Sequence, residues 1–294
     1  MSLAQELLQA FADFEARLIA WAQATDDVRA LYLIGSRART NQPADAWSDM
    51  DVILLVTDPG PFVGSTGWLD ALGEVQLTFL EQAASGGGVE RRVLFTGGVD
   101  VDFVPIPAGI VHQPSPEFRE TLGQLRRQGL RRVLDKDGID SLLDQIAPPA
   151  EASAPKLTSL TYYTLVPDFW YHCVWVAKKL RRGEVLTALG GMEYLIHRCL
   201  LPMARYHAVL MYGPDHNTWH GERFFEDWAD PRVVQAFRGC FPRYDAADIW
   251  QALNACMMLF SWLAQETGER AGLSYPAHGE AAARAFVDRC KTSA

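Results

Sequence analysis

Between Leu31 and Leu55 the chain reads LYLIGSRARTNQPADAWSDMDVILL, and no other stretch narrows the possible folds as far. Two apolar runs of strand length, Val28 to Ile34 and Asp51 to Val56, flank a Gly35-Ser36 turn and a polar loop rich in Asn, Pro and Asp. Asp49 and Asp51 stand at the mouth of the second run. Side chains two apart on a strand share a face, so these carboxylates are expected side by side. Paired carboxylates repel, and a hard cation held between them and an anionic ligand relieves the repulsion. Magnesium has that chemistry. Glycine lets the backbone approach a ligand closely, and serine adds a hydroxyl and a backbone N–H suited to phosphate. A metal–nucleotide site needs a third carboxylate, and GGVDVDFVPIP supplies one. Gly97-Gly98 predicts a hairpin turn and Val99 to Val104 the strand leaving it. Asp100 and Asp102 share a face of that strand, and Asp102 has the more apolar flanks.

A chain of 294 residues, 49% hydrophobic and 21% charged, can bury a sizeable core and has room for two domains. No apolar run reaches the ~18 residues of a membrane span and no signal pattern opens the sequence, so a cytoplasmic protein is expected. The five cysteines (Cys173, Cys199, Cys240, Cys256, Cys290) form no C-x-x-C pair and read as reduced thiols. The net charge is −9. Up to Ala150 there are 21 acidic and 12 basic residues, and beyond it 15 of each. Nucleic-acid binding relies on basic residues neutralising phosphates, so no nucleic-acid partner is expected. The acidity suits a cationic small molecule, or serves only to keep the protein dispersed.

Ser2 can cap a first helix with Leu3, Leu7, Phe11, Phe14, Leu18 and Trp21 along one face. Trp68 to Leu72 predicts a short helix and Val75 to Leu80 a strand. Ser85 to Gly88 lacks the Lys-Ser/Thr ending of a P-loop and reads as a loop tip. Val89 to Phe95 pairs with Val99 to Val104, Pro114 to Arg127 predicts a helix, and Leu130 to Leu134 a further strand. Ala147 to Pro155, APPAEASAP, is the clearest linker. Beyond it helical periodicity takes over: Leu157 to Arg182, broken or capped near Pro167, then Val185 to Tyr212, Gly221 to Ala229, Pro231 to Cys240, Ala246 to Thr267 and Glu280 to Cys290. His216 and His220 are four apart, but no glutamate stands where a zinc protease would need it. Tyr162, Tyr163, Trp170 and Trp175 serve core packing or a substrate wall. Arg37 adds charge to a phosphate site or is a solvated loop arginine. Lys178 and Arg182 share a helix face and either reach nucleotide phosphates or are solvated.

Strand, Gly-Ser, loop, a strand opening with D-x-D and a later strand with one inward Asp form the pattern of the nucleotidyltransferase superfamily. More narrowly, GSRARTNQPADAWSDMDVILLV is similar to the signature of the aminoglycoside 6-adenylyltransferases, the streptomycin-modifying enzymes. Further matches follow in order: Trp68-Leu69 with Gly73-Glu74, Val101-Asp102-Phe103 with Ile106-Pro107, and Leu134 to Gly138. In the second half come Asp168-Phe169-Trp170, Val176-Ala177-Lys178 with Leu180 and Arg182, Arg198 with Leu201 and Met203, and Tyr275-Pro276. The chain departs from the pattern at Glu222-Arg223, where relatives tend to carry lysine, and over Tyr212 to Trp219.

The resemblance implies a nucleotidyltransferase-type mixed-sheet domain of class α/β (α+β) over residues 1–146, followed by an all-α helical bundle, the acceptor-binding domain, over 156–294. It implies magnesium-dependent transfer of AMP from ATP to a hydroxyl of a streptomycin-like aminoglycoside, releasing pyrophosphate. Asp49, Asp51 and Asp102 would hold metal, and Gly35, Ser36, Arg37 and Lys178 would bind nucleotide. Asp168 would be the base, although after Pro167 it can equally cap a helix. The rivals are a nucleotidyltransferase for another small alcohol or a protein, and a silent nucleotide-binding module.

Overall fold

The computed structural model describes residues 1–82, 88–145 and 156–292. The chain divides into two compact units, Met1–Ala152 and Ser153–Ala294. The expected linker, Ala147 to Pro155, and residues 85–87 of the expected loop tip lie outside the described residues.

The first unit opens with α1 (Leu3–Ala24), where Ser2 and Gln5 form a capping box. The strands are β1 (Val28–Ile34), β2 (Met50–Val56), β3 (Val75–Gln82), β4 (Val89–Phe95), β5 (Val99–Pro107) and β6 (Leu130–Asp135). Short α2 (Gly60–Gly64) follows β2, and α3 (Pro116–Gln128) and α4 (Ile139–Gln145) flank β6. They form one mixed sheet of order β3-β4-β5-β2-β1-β6, in which β2 and β5 run parallel and the other pairs antiparallel. β1 and β2 are almost continuously apolar because both faces of the sheet are covered there. Leu31, Leu33, Val52, Leu54, Val101 and Phe103 pack with Phe11, Phe14 and Leu18 of α1. Ala30, Tyr32, Ile53 and Leu55 pack on the opposite face with Leu122, Ile139 and Leu143 of α3 and α4.

The second unit is helical: α5 (Ser159–Arg181), α6 (Val185–Tyr194), a π-helical turn over Leu195–Leu200, α7 (Leu201–Tyr212), α8 (Phe225–Trp228), α9 (Pro231–Phe237), α10 (Ala246–Ala271) and α11 (Ala277–Thr292). Its core includes a stacked pair, Phe169 on Phe260, with ring centroids 3.8 Å apart. The buried Tyr162 donates to the Ala264 carbonyl at 2.8 Å, so Tyr162 and Trp170 belong to the core while Tyr163 is exposed. Four of the cysteines are buried free thiols. Among the described residues no helix is long and apolar enough to cross a membrane.

Several expectations need correction. The helix expected to break near Pro167 runs unbroken through it. Proline cannot donate to the carbonyl four residues back, but Val166, Phe169 and Trp170 around it are all buried, and that packing holds the helix together. Trp68 to Leu72 forms a 3₁₀ turn over Gly67–Ala71. The helix expected over Gly221 to Ala229 shrinks to α8, because Gly221, Glu222 and Phe224 all adopt positive φ. The short α2 and α4 gave no periodic signal long enough to read.

Candidate active site

β1 ends in a single 3₁₀ turn, Gly35–Arg37. Gly35 has φ +66°, and a Cβ on it would sit 2.5 Å from Asp51 Oδ2. Glycine is required here both for the left-handed backbone and for the closeness of the carboxylate. Ser36 is only 9% exposed, and its Oγ is buried without a hydrogen-bond partner among the described residues. An orphaned buried hydroxyl of this kind suits a ligand oxygen.

The loop returns to β2 under the control of Arg37. Its Nε donates to the Asp49 carbonyl at 2.8 Å and its Nη2 to the Ser48 carbonyl at 2.7 Å. The guanidinium lies 3.7 Å from the centroid of the Phe11 ring. These bonds pin the backbone that delivers Asp49.

The parallel register pairs Asp51 of β2 with Asp102 of β5. Both have the parity of Ile53 and Val104, so they stand on the α3–α4 face of the sheet. Asp49, Asp51 and Asp102 each offer an oxygen, all within 4.8 Å of one another. Burial, with Glu90, Asp49 and Asp100 adding, pushes the Asp102 carboxyl up to about 6, while Arg92 opposes the rise. One strand further on, Arg92 of β4 lies opposite Asp102. Its Nη2 is 3.5 Å from Asp102 Oδ2, and it pairs more closely with Glu90 (2.8 Å) and Glu81 (2.7 Å). Sequence reasoning missed Arg92 and Glu90; only their period-two spacing from the site face signals them. Converging carboxylate oxygens match the ligand preference of a hard divalent cation, and the orphaned Ser36 hydroxyl beside Gly35 adds a phosphate-type donor. The residues present therefore fit a metal–triphosphate.

In the helical unit Asp168 lies well inside α5, whose cap is Thr158, so the helix-cap alternative falls. Its carboxylate is surrounded by donors. Tyr194 donates its hydroxyl to Oδ2 at 3.0 Å, and the Cys199 thiol approaches the same oxygen at 3.8 Å. His172, one helical turn on, places Nδ1 2.7 Å from Oδ1. The Tyr194 ring lies 4.3 Å from that of His172. Burial and the neighbouring Asp168 both push the Tyr194 phenol upward, so it remains a donor. The π-helical turn that carries Cys199 follows directly on Tyr194, and such turns recur at functional sites. Lys178 sits over the Phe286 ring at 5.2 Å. His216 bonds the Trp228 carbonyl through Nε2 at 2.8 Å.

A mixed sheet carrying three convergent carboxylates beside a Gly-Ser turn defines a nucleotidyltransferase. A family model described as streptomycin adenylyltransferase matches residues 11–290, and the chain belongs to that family; it is an adenylyltransferase. Curated relatives agree. The chain is 23% identical over 265 residues to an aminoglycoside 6-adenylyltransferase of Campylobacter jejuni, covering 88% of each. It is 22% identical over 284 residues to one of Bacillus subtilis (strain 168), covering 94% of each. Among solved structures, an aminoglycoside 6-adenyltransferase from Bacillus subtilis aligns over 100% of both chains, with a TM-score of 0.46 and 16% identity.

Proposed function

We propose that the protein transfers AMP from ATP to a hydroxyl of an aminoglycoside of the streptomycin type, releasing pyrophosphate. The observation that carries this is the convergence of Asp49, Asp51 and Asp102 next to the Gly35-Ser36 turn, within a chain whose family and curated relatives are adenylyltransferases. Asp49, Asp51 and Asp102 would hold magnesium, which when bound supplies neutralising charge at the triphosphate and at the reacting oxygens. Ser36 Oγ, with no hydrogen-bond partner among the described residues, donates to a phosphate oxygen, and Gly35 lets the backbone close on it. Arg37 keeps Asp49 in place through its carbonyl bonds. Arg92 holds Asp102 against the repulsion of its acidic neighbours. The helical unit binds the acceptor, and Asp168 is the base for its hydroxyl.

The stretches that depart from the family pattern, Tyr212 to Trp219 and Glu222-Arg223, lie in the half that selects the acceptor, so the assignment to streptomycin itself is the part of this reading to test; Trp219 and Glu222 there adopt positive φ, and Glu222 pairs with Arg205 at 2.6 Å. The deciding experiment is pyrophosphate release from ATP across a panel of aminoglycosides, with and without magnesium, with Asp51→Asn as control. Release that requires a drug and magnesium and falls at least about 10²-fold in the variant is expected. Tight ATP binding with no drug-stimulated release would leave another alcohol, a protein acceptor or a silent binding module.

A further inference from the structure

On the α1 face the sheet is packed as far out as β4, through Val93 and Phe95. On the opposite face α3 and α4 pack over β1, β2 and the second half of β5, and among the described residues no side chain of β3 or β4 joins that core. Leu77 and Phe79 stand on this face, on the same side as Arg92, and are 64% and 56% exposed. Two large apolar side chains left bare on an edge strand mark a surface that something covers. The register joins this surface to the carboxylates. Ile34 lies opposite Asp51, Asp51 opposite Asp102, Asp102 opposite Arg92 and Arg92 opposite Phe79, one row across five strands. Two residues along, Glu81 lies opposite Glu90. Glu81, Glu90 and Asp102 share the guanidinium of Arg92, and three carboxylates against that one cation leave the surface acidic.

The row also has a direction. Ser36 follows directly on β1, so with the pyrophosphate end of the nucleotide at Ser36 the α-phosphorus stands at Asp51 and Asp102. In an in-line displacement the attacking oxygen arrives on the side opposite the departing pyrophosphate. On this sheet that side is β4 and β3. We propose that the outer part of this face is a subsite for the acceptor, in which Phe79 and Leu77 take the apolar face of an amino sugar and Glu81 and Glu90 take its ammonium or guanidinium group. The subsite rests on the adenylyl-transfer reading above and lies wholly within the first unit. Arg92 already shows a guanidinium seated against Glu81 and Glu90. At a strand spacing of ~4.8 Å, β3 stands about 10 Å from β5, so an acceptor of several rings with its hydroxyl at Asp102 spans the distance to Phe79. Charge decides between occupants. Adenine could stack on Phe79 but carries no cation for the carboxylates, and a second copy of the surface would bring like charge against like.

The test is steady-state pyrophosphate release by the full chain with the aminoglycoside that supports the fastest release, in Phe79→Ala, Phe79→Tyr and Glu81→Gln. The KM for the drug should rise about tenfold in F79A and stay near the wild-type value in F79Y, which keeps the ring. In E81Q it should rise about fivefold, with the effect shrinking as salt is raised. The KM for ATP should stay within about twofold, and the urea midpoint and the oligomeric state should be those of the unmodified protein. In the unmodified protein the Leu77 methyl resonances should shift as the drug is titrated in, a readout independent of turnover and of how the variants fold. An unchanged drug KM in both F79A and E81Q, or Leu77 methyls that stay still at saturating drug, would overturn the subsite. A rise in the KM for ATP alone would give the surface to the nucleoside, a lower urea midpoint to the fold and a change of oligomeric state to a second copy, each against the proposal. If the unmodified protein releases no pyrophosphate with any aminoglycoside, the transfer reading fails and the subsite falls with it; release at the normal rate with an unchanged drug KM in both variants removes the subsite alone.

Discussion

Gly35 shows how closely the residues of this site are fitted. A methyl group there must adopt a left-handed backbone and displace the Asp51 carboxylate. The backbone alone costs about 1–2 kcal/mol. Gly35→Ala is therefore expected to fold, with an unchanged far-ultraviolet spectrum, yet to lose at least about 10²-fold in pyrophosphate release; near-wild-type release would mean Asp51 has slack to move. The carboxylates were legible in the sequence because strand alternation is a local rule: Asp49, Asp51 and Asp102 were singled out from spacing and flanks alone. Their meeting was not written in that spacing, since it depends on the parallel register of β2 with β5. His172 was missed for a different reason. It stands one helical turn from Asp168, but a spacing of four is ordinary on any helix, and what marks the cluster is the arrival of Tyr194 and Cys199 from a later segment, which only the packing of the helices brings about.

At the scale of elements, the connection from β1 to β2 carries most of the candidate site, and it is ordered by one side chain. Arg37 binds two successive carbonyls and stacks on Phe11 of α1, so it ties the loop both to the start of β2 and to the helix beneath. Burial lowers its affinity for its proton, with Glu15, Asp49 and Asp100 opposing. A lysine keeps the charge but cannot reproduce the planar fork. Arg37→Lys is expected to lose about 1–2 kcal/mol of stability by urea titration, with a loss of turnover larger than any change in the KM for ATP. A large rise in that KM with stability intact would instead make Arg37 a phosphate ligand. The strands were read from the sequence nearly to their ends, and β1 and β4 to the residue. β3 and β5 run further than expected because pairing across the sheet extends them past their own apolar runs.

Over the whole molecule, stability should depend on pH through a histidine far from this chemistry. His207 is fully buried in the helical unit, and neither ring nitrogen has a hydrogen-bond partner among the described residues. Glu266 comes to 3.6 Å of Nε2, too long for a hydrogen bond, so burial prevails over the pull of Glu266 and Asp230 and lowers the imidazole's proton affinity. The folded value is below the unfolded one of about 6.5. The unfolded chain therefore binds the proton first, and the contribution of the neutral ring is complete above that value and lost as pH falls toward the folded one. The urea midpoint should decline more steeply between about pH 7 and 5 in the wild type than in His207→Phe; equal slopes would place the titration elsewhere.

The strand order also fixes when the acidic site comes into being. β4 and β5 are joined by a short turn at Gly97-Gly98 and can close early, whereas β2 joins β5 in parallel only after the chain has passed through β3 and β4. Asp51 and Asp102 thus meet late in folding, and their repulsion is faced when most of the apolar burial has already been gained. A ligand that draws those carboxylates together acts on the native state and not on the folding transition state, so it should slow unfolding and leave the folding rate almost unchanged.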